Sequence, residues 1–174
     1  MKNGKPLKTA LIVSGAVTAL ICGVMNLWLL PAIEATTEGL RCFDMNSFGY
    51  TAGQAQRFLS LLSERGRDLY LRVQLPLDFI YPIAYGAFFM LAIRALKGKR
   101  SAWFALPAAL AAADYTENVC SVIMLQKMEA APALARFASA VTVLKSGLMA
   151  AAFLLLAVLL VLWLVKKKGR PKNA

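Results

Sequence analysis

Apolar residues gather in four long runs, approximately residues 9–33, 71–96, 102–125 and 137–165, separated by short turns and one long, more polar segment. A helix rises 1.5 Å per residue, so each run is long enough to span a hydrocarbon core about 30 Å thick. The pattern predicts an all-α protein: a four-transmembrane-helix bundle forming a single integral membrane domain over residues 1–174. The first run is longer than the apolar core of a signal peptide and no small-x-small cleavage site follows it, which predicts an uncleaved span. Within the long segment, residues 34–70, Ala55, Phe58, Leu59 and Leu62 recur at i, i+3, i+4 and i+7. With Thr51 as N-cap and Gly66 just past the end, this predicts a short amphipathic helix over about 52–65, lying on the outer interface or over the bundle mouth.

Composition and charge then orient the helices. Hydrophobic residues make up 59% of the chain, against about 45–50% apolar residues in an average soluble domain, and the mean hydropathy is +0.60. A net charge of +11 would suggest nucleic acid in a soluble protein. Here the basic residues sit at the ends of apolar runs, so no nucleic-acid partner is expected. Lys2, Lys5, Lys8, Arg94, Lys97, Lys99, Arg100 and the tail "KKKGRPK" supply twelve basic residues and no acid, whereas the other two connections mix signs. Short segments rich in Lys and Arg stay cytoplasmic. This predicts both termini cytoplasmic, the long segment outside, and a multi-pass protein of a bacterial inner (plasma) membrane. Small residues spaced four apart, Gly15, Ala19 and Gly23 in the first run and Ala105, Ala109 and Ala113 in the third, predict close helix packing.

Polar residues inside the runs carry the candidate chemistry. The stretch "DYTENVCS" puts Asp114, Glu117, Asn118 and Ser121 at i, i+3, i+4 and i+7, one face of the third span. Asp78, Tyr81 and Tyr85 share a stripe of the second, where Pro82 removes a backbone hydrogen bond. Counting 1.5 Å per residue from the cytoplasmic anchors puts Asn26 about 27 Å up, Asp78 about 24 Å, Asp114 about 21 Å, Glu117 about 26 Å and Lys145 about 32 Å. All four helices thus carry their unusual residues in the outer third of the membrane. Ionisable groups are costly against lipid, which predicts one polar pocket inside the bundle. Its ligand-binding candidates are Asp78, Tyr81, Tyr85, Asp114, Glu117 and Asn118, with Asn26 and Lys145 as further lining. Three acids against one cation exceed what internal pairing would neutralise. The structural alternative is a helix-joining network in which Lys145 pairs with Glu117 or Asp78, or snorkels to the headgroups. The chain has no histidine, and Cys22, Cys42 and Cys120 have no metal-binding spacing. His-ligated haem, His-based zinc sites and a Ser-His-Asp triad are excluded, and neither a cofactor nor a metal is expected.

The stretch "GYTAGQAQRFLSLLSERGRDLYLRVQLPLDFIYPIAYG" leading into the second span, together with "DYTEN" in the third, resembles small four-helix inner-membrane proteins of bacteria. That family carries no assigned activity, so the resemblance implies a fold and transfers no catalytic residue. The paired cysteines of the disulfide-generating quinone reductases are missing, as is the first-helix acid of small multidrug exporters. The expected function is binding of a lipid-like or amphiphilic small molecule at outer-leaflet level by a protein whose constant partner is the lipid bilayer. Three alternatives stay open: a membrane enzyme using carboxylate acid/base chemistry, a proton-coupled transporter acting as a homodimer, and a structural accessory subunit.

Overall fold

The computed structural model describes residues 4–98 and 101–168, and every regular element among them is helical. Helix α1 (Gly4–Val24) passes through a π-turn at Met25–Leu29 into α2 (Leu30–Glu34). The same figure recurs ahead of the second long helix, where α4 (Glu64–Leu69) passes through a π-turn at Tyr70–Gln74 into α5 (Leu75–Lys97). A proline, Pro31 or Pro76, stands two positions after each π-turn. Proline lacks an N–H and its ring crowds the carbonyl four residues back. Widening the preceding turn relieves that crowding: Leu30 N–H reaches the Met25 carbonyl and Leu75 N–H reaches that of Tyr70, each five residues back. The two π-turns pack against each other.

Helix α6 (Ala105–Lys127) packs on α5 and on α7 (Pro132–Lys168), while α1 packs chiefly on α5. Gly15 permits that approach, since a Cβ there would stand 3.3 Å from the Phe88 ring. Three continuous helical stretches, Lys5–Glu34, Glu64–Lys97 and Pro132–Lys167, are long and apolar enough to cross a membrane. Their outer faces carry exposed Ile12, Leu20, Leu27, Ile80, Ile83, Phe153 and Leu154, which suits a lipid surround. Helix α6 has 23 residues, comparable to α5, but is not one of the three, because its buried face carries Asp114, Glu117, Asn118 and Ser121.

The helix expected over about 52–65 is shorter. It forms α3 (Ala52–Leu61), opened by a full capping box in which Thr51 accepts from Gln54 N–H and the Gln54 side chain accepts from Thr51 N–H. It ends where Leu62 turns extended, and the Ser63 hydroxyl caps α4 by accepting from Gly66 N–H at 3.1 Å. Gly66 therefore lies within α4 and is not the glycine that terminates α3. It is glycine for packing, since a Cβ would collide with the Thr36 hydroxyl and with Leu62. The second long helix accordingly begins at Glu64, before the expected residue 71.

Helix α3 is bound to the bundle. Ala55, Phe58 and Leu59 are buried in a core with Phe43, Tyr70, Met124, Leu125 and Ala135, where Phe43 packs on Phe58 at 4.9 Å between ring centres. Gln56 spans the turn between α6 and α7, donating to the Met128 carbonyl at 3.4 Å and accepting from Ala130 N–H at 2.8 Å. Arg67 caps the end of α6, its guanidinium donating to the carbonyls of Leu125 and Gln126 at 2.9 and 2.8 Å. These contacts consume carbonyls that a helix end leaves unpaired, and they fix the 34–63 segment over one end of the bundle.

Candidate functional site

Helix α6 supplies the polar wall. Asp114, Glu117, Asn118 and Ser121 are all buried, as the i, i+3, i+4, i+7 spacing requires when the opposite face is apolar. The Lys145 ammonium, from α7, lies 3.2 Å from Asp114 Oδ1 and also pairs with Glu117. The other Asp114 oxygen accepts from the Tyr85 hydroxyl at 2.9 Å, and Glu117 accepts from the Thr142 hydroxyl. Two carboxylates, one ammonium and two hydroxyls thus close into a network joining α5, α6 and α7.

Asn118 has a different task. Its amide donates to the backbone carbonyl of Asp78 at 3.0 Å. In a regular helix that carbonyl accepts from the N–H four residues on, but position 82 is proline and has none. The side chain of α6 therefore completes the backbone of α5.

Asp78 is only 4% exposed, and among the described residues no hydrogen-bond donor or cation engages its carboxylate. It lines a cavity of about 430 Å³ shared with Tyr81, Asp114, Lys145 and Asn26. Met25 and Leu30 form one side of this cavity, Ser146, Met149 and Phe153 of α7 the other, and Asp44, Met45 and Ser47 enter from the 34–63 segment. Its volume falls within the range of small-molecule sites. The lining changes character along α7, from Lys145 and Ser146 to Met149 and Phe153, a travel of about 12 Å. A smaller hollow of about 210 Å³ between α3 and the preceding loop contains no acid in its lining.

The structure thus brings Asp78, Tyr81, Asp114, Lys145 and Asn26 to one cavity. Tyr85 stands behind it, edge-on to Tyr81 at 5.0 Å and bonded to Asp114. Glu117 and Asn118 lie deeper, in the helix-joining contacts and outside the cavity lining. Asn26 is exposed at the rim, and its amide donates to the Cys22 carbonyl of its own helix at 2.9 Å.

Asp44 is the member that sequence periodicity did not reveal. Half-buried itself, it sits in a 3-10 turn, Phe43–Met45, in which Phe43 and the preceding Cys42 are buried in the core, and it accepts from the Tyr70 hydroxyl at 3.2 Å. Burial pushes its carboxyl above the ordinary carboxylate range, with Lys145 opposing, the Tyr70 bond also opposing and Asp114 adding to the rise. Burial raises the neighbouring Cys42 thiol as well, reinforced by Asp44 and Glu34, so that thiol stays protonated. The available signal was an acid next to an aromatic in a loop, which has no period to place it.

No family model, no curated protein and no solved structure matches this chain.

Proposed function

We propose that the protein binds an amphiphilic, lipid-like molecule from within the membrane, with the polar head at the carboxylate end of the cavity and the apolar tail along Met149 and Phe153. The observation that carries this reading is the graded lining of a single cavity, acids at one end and Met and Phe at the other. A detergent-like ligand requires that gradient, and a purely structural network does not. In this reading α6 is a fourth span, shielded from lipid by α5 and α7. Both termini face the cytoplasm of a bacterial inner membrane, and the 34–63 segment caps the outer end. Asp78 and Asp44 meet the head, Tyr81 packs beside it, and the network of Asp114, Glu117, Lys145 and Tyr85 holds the wall in place.

Native mass spectrometry of protein extracted in a mild uncharged detergent tests this. One bound molecule per chain is expected in the wild type and a loss of occupancy in Asp78→Asn. Extraction without any adduct, from protein that remains helical and monodisperse, would sink the proposal.

A further inference from the structure

Resting on the amphiphile reading, we infer that the head of the ligand is a positively charged amine, held between the carboxylates of Asp44 and Asp78. Four acids converge on this end of the bundle: Asp44, Asp78, Asp114 and Glu117. Among the described residues the one cation on the cavity wall, Lys145, is already shared between Asp114 and Glu117, and each of those carboxylates also takes a hydroxyl, from Tyr85 and Thr142 respectively. That network is complete without a ligand.

The other two acids are not compensated. Asp44 takes a single hydroxyl, from Tyr70. Asp78, a residue only 4% exposed, takes neither a donor nor a cation among the described residues, and it is part of the cavity wall. A carboxylate withdrawn from water without a partner is costly, and the cavity is the side from which a partner can arrive. The only other charged groups on that wall are Asp114 and Lys145, already paired. An anionic head would meet an excess of acid, and an uncharged one would leave Asp78 uncompensated. A bound metal ion is another way to supply positive charge. Among the described residues, however, no group of three or more Asp, Glu, Cys or His side chains is placed to hold one. An ammonium needs only two carboxylates and hydrogen bonds of ordinary length. It would arrive with its alkyl chain directed down the Met149 and Phe153 side.

The test is a matched series, decylamine, decanol and decanoate, titrated into protein in an uncharged oligo-oxyethylene detergent and read by native mass spectrometry. Decylamine should occupy one site per chain at least tenfold more tightly than decanol, and decanoate should not bind. Asp44→Asn and Asp78→Asn should each weaken decylamine on the order of tenfold, the cost of one charge-assisted bond, and so shrink the preference for decylamine over decanol. Equal binding of amine and alcohol, or amine binding indifferent to both substitutions, overturns the cationic head but leaves the amphiphile site standing. No binding of any probe by folded wild-type protein overturns both. Should Asp78→Asn not fold, Asp44→Asn decides the matter, because it changes a loop residue and keeps its shape.

Discussion

At the scale of single residues, Asp44 and Asp78 differ in how legible they were. Asp78 lies in a helix, so its stripe with Tyr81 and Tyr85 and its depth could be counted from Arg94. Asp44 lies in a loop and was visible only as one charge among several. Its raised carboxyl gives it a pH signature with a definite sign. The folded protein holds this proton more firmly than the unfolded chain, so Asp44 contributes stability that is fully present below the ordinary value near 3.8 and is lost as pH rises through its raised folded value. Thermal unfolding in detergent should therefore give a wild-type midpoint that falls as pH rises through this window, and Asp44→Asn should flatten the dependence. A wild-type curve that matches the variant at every pH would show that the carboxyl is not buried.

At the scale of elements, the joint between α5 and α6 is a substitution of side chain for backbone. Pro82 leaves the Asp78 carbonyl without its helical donor, and Asn118 supplies one from the neighbouring helix. Asn118→Leu should cost about 1–3 kcal/mol, the price of an unpaired buried carbonyl. Pro82→Ala restores an N–H at position 82, so the double variant should be less destabilised than Asn118→Leu alone. A double-mutant cycle of unfolding midpoints measures the coupling, and strictly additive costs would refute the arrangement. The sequence placed Asn118 on the polar face of its helix and Pro82 one turn beyond Asp78. It could not pair them, because which face of α6 meets which turn of α5 is set by packing between the helices. The end of α3 was missed for a related reason: Gly66 reads as a terminator in one dimension, while its neighbour Thr36 is distant in sequence and adjacent in space.

For the whole molecule, the proposed topology rests on whether α6 crosses the bilayer. Lys97 precedes α6 and Glu129 follows it, and both are exposed, as is Phe48 in the capping segment. In intact cells a membrane-impermeant maleimide should label Phe48→Cys and Glu129→Cys, and should reach Lys97→Cys only after permeabilisation. Cys42 and Cys120 are buried, and half-buried Cys22 is replaced by Ser in every variant to remove background. Labelling of positions 97 and 129 from the same side would reduce the count to three crossings. Four apolar runs were readable from composition alone, but the polar face of α6 makes it the least apolar of the long helices, for the same reason that it builds the site.

The paired π-turns bear on how any such chain can be read. Each widens one turn of a helix whose residues otherwise advance about 100° apiece, yet the buried positions keep regular helical spacing across it. Tyr70, Gln74, Asp78 and Tyr85 recur at i, i+4, i+8 and i+15 and all four are buried, so one stripe runs from the π-turn to the cavity wall. The same holds in the first span, where Met25, Leu29 and Ile33 are all buried. Because the two wide turns lie side by side, these ends of both spans mesh with each other beneath the cap while each keeps one continuous buried stripe.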